Sequence, residues 1–176
     1  MKKTIILLLF LISLGCGSYK KKKIEPKITE KKKKENYINS QDYIITLPSY
    51  WRAIFSHGYM NYTPTKIGEN FHNNKVYILS PKLNESLTLK KFVKKHTKKE
   101  NRKENISSQT MVKEQSRFGE IYIHNYKKYN GLYKYKEIFL QHDGKFYMFK
   151  YSSESSLFKI YLNDVNSIFK SLKFKN

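Results

Sequence analysis

The stretch Leu132-Tyr133-Lys134-Tyr135-Lys136-Glu137-Ile138-Phe139-Leu140-Gln141-His142-Asp143-Gly144-Lys145-Phe146-Tyr147-Met148-Phe149-Lys150-Tyr151-Ser152 decides the fold. Asp143-Gly144 favours a tight hairpin turn because aspartate and glycine tolerate positive φ. The runs on either side, Leu132 to Gln141 and Lys145 to Ser152, are therefore predicted to pair antiparallel. A sheet wet on one face alternates apolar with polar residues, and these runs do not. In the second run Tyr147, Phe149 and Tyr151 line one face while Phe146 and Met148 line the other. In the first, Tyr133, Tyr135 and Phe139 stand opposite Leu132, Ile138 and Leu140. Both faces call for cover, so the expected class is α+β, an antiparallel sheet of about six strands sandwiched between helices.

Outward from this hairpin, Asn130-Gly131 predicts a second tight turn, linking Gly119 to Tyr126 with Leu132 to Gln141. Ile106 to Gln115 precedes them as a further strand. Upstream, Tyr43 to Leu47 reads as a strand stopped by Pro48, with Trp51 in a short turn or bend; Gly58 to Tyr62 and Lys75 to Leu79 read as two more. Two segments change period. Between Thr88 and Lys103, Leu89, Phe92, Val93 and His96 recur at helical spacing, with Ser86 or Thr88 available as N-cap. From Ser155 to Leu172, Phe158, Tyr161, Val165, Ile168 and Leu172 form one apolar stripe opposite Lys159, Asn163, Asn166 and Lys170. Residues 42–176 thus form one globular domain of a size usual for a single core.

The N-terminus has another logic. Met1-Lys2-Lys3 is a positive start, Ile5 to Ile12 an unbroken apolar run, and Ser13-Leu14-Gly15-Cys16 ends it with the chain's single cysteine. A spanning helix needs about 20 apolar residues; this run is shorter and has the layout of an export signal. It resembles the lipobox of bacterial lipoproteins, although Ser13 stands where leucine is usual. The resemblance implies cleavage after residue 15 and lipidation of Cys16. Two or more acyl chains would then hold the chain to a membrane, each buried methylene contributing about 0.8 kcal/mol. With no second thiol, no intramolecular disulfide can form. Residues 16–41, lysine-rich and poor in apolar side chains, are expected to form a disordered tether. The address expected is the bacterial cell envelope, with the outer membrane favoured.

Three features of the domain resemble the PsbP-like fold, named for an extrinsic subunit of the photosynthetic oxygen-evolving complex and found also in small bacterial lipoproteins. They are the opening Tyr43-Ile44-Ile45-Thr46-Leu47-Pro48 with Trp51 close behind, the hairpin ending in Gly144-Lys145-Phe146-Tyr147-Met148-Phe149, and the closing Ile168-Phe169-Lys170-Ser171-Leu172-Lys173-Phe174. The resemblance covers residues 43–174. It implies an α/β/α sandwich with a binding or assembly role and transfers no catalytic residues.

The residues themselves nominate little chemistry. The five histidines, 57, 72, 96, 124 and 142, are scattered without metal-ligand spacing. His96 reads as a core-edge residue and His142 as part of a turn. There is no G-x-S-x-G elbow and no glycine-rich phosphate loop, and the serines around Glu154 read as turn and capping residues. No catalytic residue, metal or cofactor is expected, and an enzyme with an unrecognised site is the remotest reading.

Charge is the strongest remaining signal, at +21 formally. On the first helix Lys90, Lys91, Lys94, Lys95, Lys98, Lys99, Arg102 and Lys103 lie opposite the apolar stripe and form a cationic ridge. An envelope protein partner is the leading expectation. Anionic lipid or lipopolysaccharide is the alternative; nucleic acid fits less well, since no recognised nucleic-acid-binding signature appears.

Overall fold

The structure is a computed structural model and describes residues 36–65, 74–82, 87–103 and 105–175. Ten strands and two helices follow in the order β1 (Asn36–Asn39), β2 (Tyr43–Leu47), β3 (Trp51–Ser56), β4 (Tyr59–Pro64), β5 (Lys75–Leu79), α1 (Leu89–Lys103), β6 (Ile106–Ser116), β7 (Gly119–Lys128), β8 (Tyr133–His142), β9 (Lys145–Glu154), α2 (Ser155–Ser171) and β10 (Lys173–Phe174). Seven strands form one antiparallel sheet in the order β3-β4-β5-β9-β8-β7-β6, and β1-β2-β10 form a small second sheet. The α+β class and the antiparallel pairing agree with the sequence. The large sheet has seven strands where about six were expected, and the small second sheet among the described residues was not foreseen.

The differences have local causes. Trp51, read as a bend after Pro48, opens β3 instead, and its partner across the β3–β4 ladder is Pro64. The turn between them is His57-Gly58, both at positive φ, with glycine in the second central position as in Asn-Gly turns. Asn36–Asn39, inside the stretch read as tether, pairs with β2 from Asn36 opposite Leu47 to Asn39 opposite Ile44. The ordered part of the chain therefore begins before residue 42. Residues 1–35, including Cys16 and the stretch read as an export signal, lie outside the described residues, as does Ser86.

Strand alternation sorts β9 onto two apolar clusters. Tyr147, Phe149 and Tyr151 join Ile138, Leu140, Trp51, Tyr62 and the Val165–Ile168–Leu172 stripe at the end of the chain. Phe146 and Met148 join Phe139, Tyr122 and the Leu89–Phe92–Val93 stripe of α1. Each helix thus buries the stripe read from its period. Phe92 stacks on Phe146 at 4.8 Å between centroids and meets Phe139 edge-on at 5.9 Å. Thr88 supplies the N-terminal cap of α1, its Oγ1 accepting from the Lys91 amide at 3.3 Å.

Candidate functional site

Among the described residues three charged side chains are buried, Lys128, Glu137 and Lys150. Glu137 in β8 is fully buried, and β-ladder pairing aims two neighbours at it: Lys150 is its direct partner on β9, and His124 its direct partner on β7. Lys150 Nζ donates to Oε1 at 2.8 Å, and the Tyr126 hydroxyl donates to the same oxygen at 2.8 Å. His124 Nδ1 lies 3.2 Å from Oε2, while its Nε2 is 3.0 Å from Gln109 Oε1. From the helix above, His96 Nε2 reaches to 3.7 Å of Oε1. His96 is a core-edge residue as expected, its ring 5.2 Å from that of Phe139, but it also links α1 to the buried carboxylate.

The electrostatics follow from this geometry. Burial alone would raise the Glu137 pKa; His124, His96 and Lys150 outweigh it and hold the carboxyl well below the ordinary carboxylate range. Burial would likewise lower the Lys150 pKa, yet the charge of Glu137 wins and pushes it above the usual lysine value. Tyr126 is shifted up, chiefly by burial and then by Glu137. Tyr77, facing the same cluster, is pushed up to about 12, first by burial. A stack extends the cluster: Tyr126 lies nearly parallel to Tyr135 at 4.8 Å, with Lys128 Nζ 4.7 Å and Lys150 Nζ 5.4 Å from the Tyr135 ring.

Chemically this is a saturated hub. A carboxylate offers about four lone-pair sites, and the donors around Glu137 occupy most of them, so it has little capacity left to take a proton from a substrate. Both nitrogens of His124 are likewise engaged. Among the described residues no three His, Cys, Asp or Glu side chains gather in a way that could hold a metal ion. The smaller of two cavities among the described residues borders this hub, with Gln109 and Tyr126 in its lining. It has a volume of about 190 Å³ and is also lined by Ser108, Thr110, Lys127, Lys134, Tyr135 and Phe158 among others. A wider one of about 530 Å³ is lined by Asp42, Pro81, Lys82, Lys145 and Phe146 among others. Neither brings a histidine to a carboxylate among the described residues lining it.

The predicted cationic ridge lies on the outer side of α1. Lys90, Lys91, Lys94, Lys95, Lys98 and Lys99 are all exposed, whereas Leu89, Phe92 and Val93 are buried against the sheet. For Arg102 and Lys103 the helical backbone is described and the side chains are not. The ridge and the hub occupy opposite sides of one helix, and His96 with Phe92 joins them. Sequence reasoning found the ridge and missed the hub.

The fold has solved counterparts. The cyanobacterial PsbP (CyanoP) from Synechocystis sp. PCC 6803 superposes with a TM-score of 0.55 at 9% identity, covering 80% of this chain and 92% of that one. LpqN, a protein involved in cell envelope biogenesis of Mycobacterium tuberculosis, superposes with a TM-score of 0.51 at 12% identity, covering 83% of this chain and 93% of that one. No family model and no curated protein matches the sequence. The domain has a PsbP-like fold.

Proposed function

We propose that this chain is a non-catalytic binding or assembly domain of the bacterial cell envelope, tethered to a membrane through lipid on Cys16 and docking an acidic protein partner through α1. The observation that carries the reading is the outer face of α1, where six exposed lysines stand on a helix packed on the sheet through Phe92. A rigid element bearing one sign of charge raises the encounter rate with an oppositely charged surface and fixes orientation. The likeness to LpqN, whose work lies in envelope biogenesis, supports the address, as does the lipobox-like Ser13-Leu14-Gly15-Cys16. In architecture we read the large sheet as the middle layer of an α/β/α sandwich, a reading supported by the two apolar clusters, one holding residues of each helix.

The test is affinity capture from detergent-solubilised membranes with the full chain and with a Lys91→Glu, Lys94→Glu, Lys98→Glu variant. The parent should enrich a discrete acidic protein that the variant loses. Equal enrichment by both, or none by either, contradicts the proposal. A second reading, direct binding of anionic lipid or lipopolysaccharide, is favoured by the run of lysines between Lys20 and Lys34, which adds to the field of the ridge. It predicts capture of anionic vesicles without any protein partner.

A further inference from the structure

The seven-stranded sheet ends at β6, an edge strand of 11 residues whose side chains from Ser107 to Gln115 are all exposed. Long open edges offer unpaired N–H and C=O groups to another strand, and proteins usually blunt them with lysine, proline or a short length. In a chain of net charge +21 the surface has lysines in abundance, yet Ile-Ser-Ser-Gln-Thr-Met-Val-Lys-Glu-Gln-Ser carries one lysine, followed at once by glutamate. It has no proline, and Met111 and Val112 at its middle are 43% and 44% exposed. The strand also runs along β7 in unbroken register from Ser108 to Ser116.

We infer that β6 is a self-association edge, pairing antiparallel with β6 of a second copy about a two-fold axis through Val112. Such an axis stands normal to the sheet and keeps each face on its own side, so directly opposed residues share parity in the sequence. Val112 is the midpoint of the regular stretch Ser108–Ser116. Centring there sets Val112 against Val112, Met111 against the Lys113 stem and Thr110 against Glu114. No like charges face each other, and the threonine hydroxyl has a carboxylate to donate to. An axis one residue further on would oppose Lys113 to Lys113. The opposite edge, β3, is shorter at six residues and carries Arg52. Because the remainder of the molecule is strongly basic, the two copies repel at long range, and pairing strengthens as salt rises. That sign separates it from any contact made by the α1 lysines.

The test uses the full lipidated chain in detergent, where Cys16 is blocked by its lipid and Val112→Cys supplies the reactive thiol, with a short bismaleimide as cross-linker. Val112→Cys should give a covalent dimer whose yield grows up to about 1 M salt, where the Debye length is about 3 Å. Ser116→Cys, several residues from the axis, and the parent chain should give no covalent dimer. Val112→Lys should weaken association about tenfold or more in sedimentation while leaving the melting temperature in place. Cross-linking of Val112→Cys no greater than that of Ser116→Cys, or a monomer at all salt concentrations, overturns the inference.

Discussion

Glu137 and Lys150 oppose each other directly across the β8–β9 ladder, 2.8 Å apart and both buried beneath the carboxyl end of the α1 stripe. A buried pair of this kind costs desolvation, and its net contribution over an apolar pair is small; removing one member strands the other and is severe. Glu137→Gln is therefore expected to destabilise the domain by about 3 to 5 kcal/mol in urea unfolding. Lys150→Met should cost a similar amount, and the double variant should recover part of the loss. Additive losses would contradict the pairing.

Acid stability follows with a fixed sign. The Glu137 carboxyl is held below its ordinary value of 4.5 by its histidine and lysine partners. A group whose pKa falls on folding contributes fully above its unfolded value and loses that contribution as pH drops through the folded one. Stability should hold above about pH 4.5 and decline below it, while Glu137→Gln should flatten that decline. Circular dichroism melts across the acid range check this; equal slopes for both proteins would contradict it.

Much of the hub was within reach of the sequence. Counting outward from Asp143-Gly144 pairs His142 with Lys145 and, five steps on, Glu137 with Lys150. The same count from Asn130-Gly131 pairs His124 with Glu137. Two turns correctly read as tight therefore fix the register that gathers three charged or titratable side chains on one line. What they could not supply is His96, which arrives from α1 through a packing angle that local period does not encode. β1 escaped for a different reason: Asn36-Tyr37-Ile38-Asn39 has no alternation long enough to stand out beside a lysine run, and its pairing with β2 is a tertiary choice. The His57-Gly58 turn was legible and overlooked, because histidine is a less usual tenant of positive φ.

The α1 clamp is expected to be stronger than the ridge it presents. Phe92→Ala removes a ring stacked on Phe146 and edge-on to Phe139 and should cost about 3 to 5 kcal/mol. Lys91→Glu, Lys94→Glu and Lys98→Glu lie on the exposed face and should leave the unfolding midpoint nearly unchanged. Loss of stability in the lysine variant, measured by thermal melting, would mean the ridge is structural.

Partner binding through the ridge should weaken steeply with ionic strength, since exposed charges are screened within about 8 Å at physiological salt. Titration of the captured partner between low and high salt should show it, with the triple glutamate variant already at the high-salt limit. A salt-independent affinity would place the contact away from α1.

The account rests on an anchored domain, and the mass of the N-terminal peptide of the protein isolated from its native membrane tests that most directly. A peptide beginning at Cys16 with the added mass of a diacylglyceryl group is the predicted result. A peptide that continues through an unmodified Cys16, or a Cys16→Ser variant that sediments with membranes as fully as the parent, would contradict it.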